Sequence, residues 1–134
     1  MLYLAFHYDG ACDFNQWAHL VEAYCVDQAY VLGLPQDHVA PKWNSILSLE
    51  ECPTDVPRIL LSPPQARYQP GEMELSAFVH PDDALYIFGS NNISNPAIEC
   101  DTSVYIPVPH IQTPLYAAQA AVLLLNDRWT CGNY

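Results

Sequence analysis

The chain has 134 residues and is 51% apolar, which suits one domain spanning residues 1–134 with material for a full core. Fifteen acidic residues against four basic ones leave a net charge of −11, with a pI near 4.4. That balance argues against a free-standing, non-specific nucleic-acid binder and against docking on anionic lipid, both of which need clustered Lys and Arg.

In chain order the pattern alternates strand and helix. Leu2 to Phe6 is a short apolar run and reads as a buried strand. Asp13 has the chemistry of a helix N-cap, with Gln16 three positions on as its partner. Phe14, Trp17, Ala18, Val21 and Cys25 follow as one apolar stripe at helical spacing. Gln28 to Leu34 predicts a second strand, stopped by Gly33 and Pro35. Trp43, Ile46, Leu47 and Leu49 suggest a short helix before Pro53. Val56 to Leu61 reads as a third strand, closed by Pro63-Pro64, and a short helix is expected near Glu72–Val79. Ala84 to Phe88 and Ser103 to Val108 are the fourth and fifth strands. Thr113 as N-cap and Pro114 as first helical residue then open a last helix running to about Arg128.

Strands that are apolar throughout and separated by helices predict an α/β fold, with a mostly parallel sheet and helices on both faces. Binding sites in such sheets lie at the C-terminal strand ends. The two most unusual ends here are Phe88-Gly89-Ser90-Asn91-Asn92 and Ile106-Pro107-Val108-Pro109-His110. Between Leu115 and Leu125 the last helix has only Tyr116 and Gln119 as strongly polar side chains. A helix apolar on nearly all sides needs cover beyond the sheet; a second copy of the chain is the simplest cover, so a homodimer is expected, cover by the loops of residues 35–45 and 62–72 being the alternative.

The longest apolar run, Leu115 to Leu125, falls far short of the ~20 residues that span a bilayer. The N-terminus has no basic region and reaches His7 and Asp9 too early for a signal peptide. Cys12, Cys25, Cys52, Cys100 and Cys131 are odd in number and include no Cys-x-x-Cys pair. They read as reduced thiols, mostly core filler, in a cytoplasmic protein with no membrane partner. Neither a Gly-x-Gly-x-x-Gly nor a Walker loop nor a Gly-x-Ser-x-Gly motif is present. His80-Pro81-Asp82-Asp83 reads as a turn rather than a metal site, and His7 with Asp9 is no stronger, so no metal is expected. What remains is a site built from backbone. Gly89 lets main chain approach a ligand closely, Asn91, Asn92, Ser94 and Asn95 keep the following loop polar and uncharged, and Pro107 with Pro109 stiffens the next strand end. Ordinary surface turns are the alternative reading of the same residues.

The C-terminal half resembles the SPOUT (α/β-knot) methyltransferases of the SpoU/TrmH branch. Their motif 2 ends a strand in a Phe/Leu-Gly-Asn-Glu-Gly type loop, and this chain has Leu85-Tyr-Ile-Phe-Gly-Ser-Asn-Asn92. Their next segment, Cys-Asp-x-x-Val-x-Ile-Pro, is similar to Cys100-Asp-Thr-Ser-Val-Tyr-Ile-Pro107. The Ala- and Leu-rich helix after their motif 3 resembles Ala117-Ala-Gln-Ala-Ala-Val-Leu-Leu-Leu125. In the N-terminal half, Glu22-Ala-Tyr-Cys-Val-Asp27 sits where the family has Glu-Ala-Phe-Gly-Val-Asp.

The resemblance implies a parallel sheet of five or six strands with a C-terminal trefoil knot, a homodimer whose sites are completed across the interface, and S-adenosylmethionine bound among three loops. The implied contacts are Gly89, Ile106 and Leu115, mainly through their backbones, with Phe88, Ser90, Pro107, Val108 and Tyr116 beside them. The chain departs from the pattern at several of these places. The family's motif 1 Asn falls at Asp13, its catalytic Arg at His19 and its motif 2 Glu at Asn91, and of Ser-Leu-Asn only Leu115 survives.

Methyl transfer to a hydroxyl is helped by a base. His19 shares a polar helix face with Asn15, Gln16 and Glu22 and is the expected base, an ordinary solvated histidine being the alternative. Asn91 and Tyr116 are the candidates for holding the acceptor. The expected activity is thus S-adenosylmethionine-dependent methylation of RNA, with a ribose 2′-hydroxyl the favoured acceptor. The acidic charge disfavours RNA unless a basic partner protein carries it. Two alternatives stand beside this one: a degenerate, cofactor-binding knot protein that acts through a protein partner or by sequestering the cofactor, and an acidic structural or decoy protein that binds no cofactor.

Overall fold

The computed structural model describes residues 1–10, 12–35, 43–62, 71–89, 102–110, 112–113 and 115–132. Its strands are β1 (Leu2–His7), β2 (Gln28–Leu32), β3 (Asn44–Ile46), β4 (Arg58–Ser62), β5 (Glu72–Glu74), β6 (Ala84–Phe88) and β7 (Thr102–Tyr105), and its helices are α1 (Phe14–Ala23) and α2 (Ala117–Cys131). One sheet joins all the strands in the order β3-β2-β1-β6-β4-β7-β5. Every pairing in it is parallel.

Among the described residues the sheet therefore has seven strands where five or six were expected. The two additions are the three-residue edge strands β3 and β5. They stand where the sequence suggested short helices, each followed by one 3₁₀-helical turn, at Leu49–Glu51 and Leu75–Ala77. A short segment confined by prolines gains few helical hydrogen bonds for the cost of nucleation. Pairing with a ready sheet edge needs no nucleus, so Ile46 joins Leu32 and Met73 joins Val104.

The strand alternation sorts the core into two faces. Leu2, Leu4, Phe6, Ala29, Val31, Ile59, Tyr86, Phe88 and Val104 point to one face, where they meet Trp17 and Leu20 of α1 and Ala117, Ala121, Leu124 and Leu125 of α2. Ala5, Tyr30, Leu32, Leu60, Leu85 and Ile87 point to the other, against Leu49, Cys52 and Val56. The expectation of helices on both faces is corrected accordingly. Among the described residues both α-helices share one face, and the second is covered by a 3₁₀-helical turn and the chain after it. Tyr30 and Ile46 are already apolar enough there for one turn to seal them.

Helix α1 begins at Asp13 as expected, whose carboxylate accepts from Asn15 N at 2.9 Å and Gln16 N at 3.4 Å. Its buried residues are Trp17 and Leu20, whereas Cys25 lies past the helix end at φ 53° and is exposed. Helix α2 starts later than Thr113-Pro114. Tyr116 is its N-cap, and Gln119 Oε1 accepts from Tyr116 N at 2.9 Å. Thr113 instead turns back, donating its N–H to His110 O at 3.0 Å; Pro114 lies outside the described residues. Of the cysteines described, Cys52 is buried, Cys12 is half-buried, and Cys25 and Cys131 are exposed, so core filling accounts for only part of them. Burial is the largest cause that pushes the Cys12 and Cys52 thiols up to about 11. Cys100 lies outside the described residues.

At the sheet's N-terminal edge the end of α2 is held by a buried polar cluster. His80 Nδ1 lies 2.6 Å from Tyr86 Oη and its Nε2 lies 2.7 Å from an Asp127 oxygen. Arg128 donates to Pro81 O at 2.6 Å and to Asp82 O at 2.7 Å. His80-Pro81-Asp82-Asp83 is thus the segment that enters β6, tied back to α2. Burial pushes the His80 ring below its usual 6.5, with the neighbouring Arg128 charge adding to this and the Asp127 contact opposing it.

The unfolded chain therefore takes up that proton first as pH falls. The stability this ring contributes is complete above about 6.5 and is lost below it, toward the lower folded value. Thermal melts are expected to show a fall in Tm between about pH 7.5 and pH 5.5 that is smaller in His80→Gln. Parallel profiles for the two proteins would contradict this.

Candidate functional site at the strand ends

An all-parallel sheet presents every C-terminal strand end at one edge. Here that edge carries His7, Leu32, Ile46, Ser62, Glu74, Phe88 and Tyr105 as the last strand residues. β6 and β7 flank β4, so Phe88-Gly89 and Ile106-Pro107-Val108 leave the sheet on either side of Ser62. Gly89, Ile106 and Val108 are half-buried and Pro107 is exposed. Phe88 itself is fully buried, which fixes the end of β6 in the core.

The helices share this edge because of their directions. Each follows a strand that ends there and runs back across the same face. The far end of α2 confirms it, since Arg128 meets Pro81 and Asp82, just before β6 begins. Half-buried Leu115 and exposed Tyr116 therefore precede α2 on the side where β6 and β7 end. Of the expected cofactor residues, the structure brings Phe88, Gly89, Ile106, Pro107, Val108, Leu115 and Tyr116 to this side of the sheet. Ser90 and Asn91 lie outside the described residues.

His19 is exposed on α1. It lines a groove of about 380 Å³ between the two helices, with Gln16, Leu20, Ala23 and Tyr24 of α1 facing Ala118, Gln119 and Val122 of α2. Tyr24 Oη donates to Asn126 Oδ1 at 3.4 Å where the helices meet further along. Thus His19 stands beside the first turns of α2, close in the chain to Leu115 and Tyr116.

The end of β1 adds a residue that sequence reasoning weighed only as a metal ligand. His7 is half-buried, and its Nδ1 lies 3.0 Å from Phe88 O. Nothing in the sequence signals that contact, because the two residues stand 81 positions apart. Among the described residues, no group of three or more His, Cys, Asp or Glu converges as a metal site. No helix described is long and apolar enough to cross a membrane.

No family model and no curated protein matches the sequence. Solved structures do match in fold. The SpoU methyltransferase AviRb from Streptomyces viridochromogenes, solved with AdoMet, superposes with a TM-score of 0.72 at 16% identity, covering 98% of this chain and 57% of that one. The AdoMet-bound rRNA methyltransferase from Sinorhizobium meliloti gives 0.71 at 12% identity, covering 97% of this chain and 56% of that one. A protein solved to explain 2-OH methylation of C/U34 on tRNA gives 0.66 at 15% identity, covering 96% of this chain and 94% of that one. This chain has the α/β fold of these proteins, and it spans little more than half the length of the first two.

Proposed function

We propose that this chain is an S-adenosylmethionine-dependent RNA methyltransferase-like protein of the SPOUT superfamily, SpoU/TrmH branch, acting on a ribose 2′-hydroxyl. In this reading residues 1–134 form a single knotted domain that works in the cytoplasm as a homodimer. The observation that carries the reading is the shared strand-end edge. The motif 2-like Phe88-Gly89, the Ile106-Pro107-Val108 segment and Leu115-Tyr116 come to one side of a sheet whose fold is that of AviRb.

The residues there suit the cofactor's chemistry. None of Phe88, Gly89, Ile106, Pro107, Val108 and Leu115 carries a charged side chain, and Gly89, Ile106, Val108 and Leu115 are half-buried. Apolar walls with exposed main-chain groups fit an uncharged heterocycle held by its edges. Gly89, Ile106 and Leu115 are assigned to hold it through their backbones, flanked by Phe88, Ser90, Pro107, Val108 and Tyr116. When bound, S-adenosylmethionine supplies an electrophilic methyl group.

His19 takes the proton of the attacking hydroxyl, and Asn91 with Tyr116 orients the acceptor beside it. The groove that His19 lines opens next to an exposed apolar row on α2 formed by Tyr116, Val122, Leu123 and Trp129. A second copy seated on that row gives the homodimer its interface and completes the site across it.

Incubating the protein with methyl-labelled S-adenosylmethionine and total RNA tests the reading. Label in RNA that depends on His19 and becomes alkali-resistant at one dinucleotide is the expected result. Folded protein that binds the cofactor and transfers nothing supports a second reading, a degenerate cofactor-binding module that acts through a protein partner or sequesters the cofactor. The net charge of −11 favours that second reading, as does His19 standing where the family has its Arg.

A further inference from the structure

Ser62, His80 and Arg128 are buried polar residues among those described. His80 and Arg128 are paired within the cluster that holds the end of α2. Ser62 differs from both. It is 8% exposed, and among the described residues its hydroxyl meets no hydrogen-bond partner. A hydroxyl taken out of water without a partner costs free energy, and native folds seldom leave one in that state.

Ser62 is the last residue of β4, at the strand-end edge. Side chains alternate along the strand: Ile59 faces the helices and Leu60 the other way, so Ser62 shares the second face with Leu60. The register supplies its neighbours. On one side Ser62 stands opposite Tyr105 of β7, and Ile106 follows. On the other side Leu60 stands opposite Ile87, so two residues further on Ser62 is level with Gly89. Each neighbour is one strand spacing away, about 4.8 Å. Gly89 has no side chain, so β6 sets none beside the hydroxyl. The unpaired group thus lies between Gly89 and Ile106, two of the residues assigned to hold the cofactor.

Its surroundings select a neutral partner. Leu60 and Ile87, the residues before it on the same face, are buried and apolar. A charged group brought there would give up its hydration for one hydroxyl. In S-adenosylmethionine the amino-acid end and the sulfonium are charged, and the ribose brings hydroxyls that need partners of their own. Adenine is flat and neutral. Its edge offers ring nitrogens to which a serine hydroxyl donates and an amino group from which it accepts.

We propose that Ser62 is a cofactor-binding residue: its hydroxyl hydrogen-bonds one polar atom of the adenine edge of S-adenosylmethionine and has no partner until the cofactor arrives. This inference rests on the reading that the strand-end edge binds that cofactor, and it adds one side chain to a site otherwise held through backbone.

Calorimetric titration of the full chain with S-adenosylhomocysteine, and with its 1-deaza, 3-deaza, 7-deaza and 6-deamino analogues, tests the contact atom by atom. Each analogue lacks one polar group of the adenine edge. Ser62→Ala is expected to bind S-adenosylhomocysteine about fivefold more weakly than the unmodified chain. For one analogue the two proteins should bind equally, because the atom that Ser62 meets is already missing. For the other analogues the difference should persist. Without ligand, Ser62→Ala should melt at the same temperature as the unmodified chain or higher, since alanine removes an unpaired buried hydroxyl.

Unchanged binding of S-adenosylhomocysteine by Ser62→Ala overturns the proposal, as does equal weakening toward every ligand in the series, the mark of a packing role. A lower melting temperature of ligand-free Ser62→Ala also overturns it, because the hydroxyl then has a partner in the free chain, a buried water included. An unmodified chain that binds no S-adenosylhomocysteine brings down the function reading and this proposal with it, whereas binding that is indifferent to residue 62 brings down only the proposal.

Discussion

Replacing Arg128 by methionine is expected to lower the stability of the protein by about 3–4 kcal/mol, among the largest effects of any single substitution away from the strand ends. Arg128 is only 6% exposed, and an arginine so buried needs its donors satisfied. Here one guanidinium nitrogen donates to Pro81 O at 2.6 Å and to Tyr86 Oη at 3.3 Å, and the other donates to Asp82 O at 2.7 Å. Its carbon lies 5.9 Å from the Tyr86 ring centre, within cation–π range. Methionine preserves most of the stem's packing but leaves two carbonyls without their donor, at about 1–3 kcal/mol each. Asp127 also loses the adjacent positive charge.

Lysine restores the charge but cannot fork to both carbonyls, so Arg128→Lys should recover only part of the loss. Urea melts check this through a lower midpoint at unchanged slope. A methionine variant within about 1 kcal/mol of the unmodified protein would mean that the clamp holds nothing in solution.

Trp17→Ala should cost about as much, roughly 3–5 kcal/mol, for a different reason. The indole is 3% exposed and stacks on Phe6, with ring centres 4.1 Å apart and planes inclined by 3°. It also leans on Phe88 at 5.9 Å. Phe6 and Phe88 face each other in the β1–β6 register. The cavity left by alanine therefore opens beneath the ends of both strands, where relaxation would have to move the edge itself. Trp17→Phe keeps an aromatic ring against Phe6 and should lose less, about 1–2 kcal/mol. The same urea melts rank the two variants, and similar losses for alanine and phenylalanine would contradict the stacking account.

The core strands were the most legible part of the sequence. β6 has the bounds expected, Ala84–Phe88, because all five residues are buried and an unbroken apolar run is the signature of a strand covered on both faces. β1 was right to within one residue, and Asp13 caps α1 through the hydrogen bonds its side chain was expected to make. Weak segments went astray. Trp43–Leu49 and Glu72–Val79 carry a few apolar residues that fit a helical or a strand period equally well, and only the presence of a neighbouring sheet edge decides between them. Thr113-Pro114 offers a sound helix start, yet Thr113 spends its N–H on His110 O and Gln119 caps at Tyr116 instead.

The candidate site was legible as loops but not as contacts. Gly89, Ile106 and Leu115 stood out through motif resemblance and backbone chemistry. The bond from His7 to Phe88 O, the groove that sets His19 beside Ala118 and Gln119, and the Arg128 clamp on Pro81 and Asp82 join residues far apart in the chain. Local spacing carries no information about such pairs. They follow from the strand order, which puts β6 between β1 and β4.

The most direct test of the account is equilibrium binding of S-adenosylmethionine to the purified chain, compared with a Gly89→Leu variant, which adds a bulky side chain directly after the end of β6. The account predicts saturable binding, one cofactor per chain, that Gly89→Leu loses while remaining folded. The unmodified chain showing no binding heat and no thermal shift at millimolar cofactor, or Gly89→Leu binding as well as the unmodified chain, would contradict it.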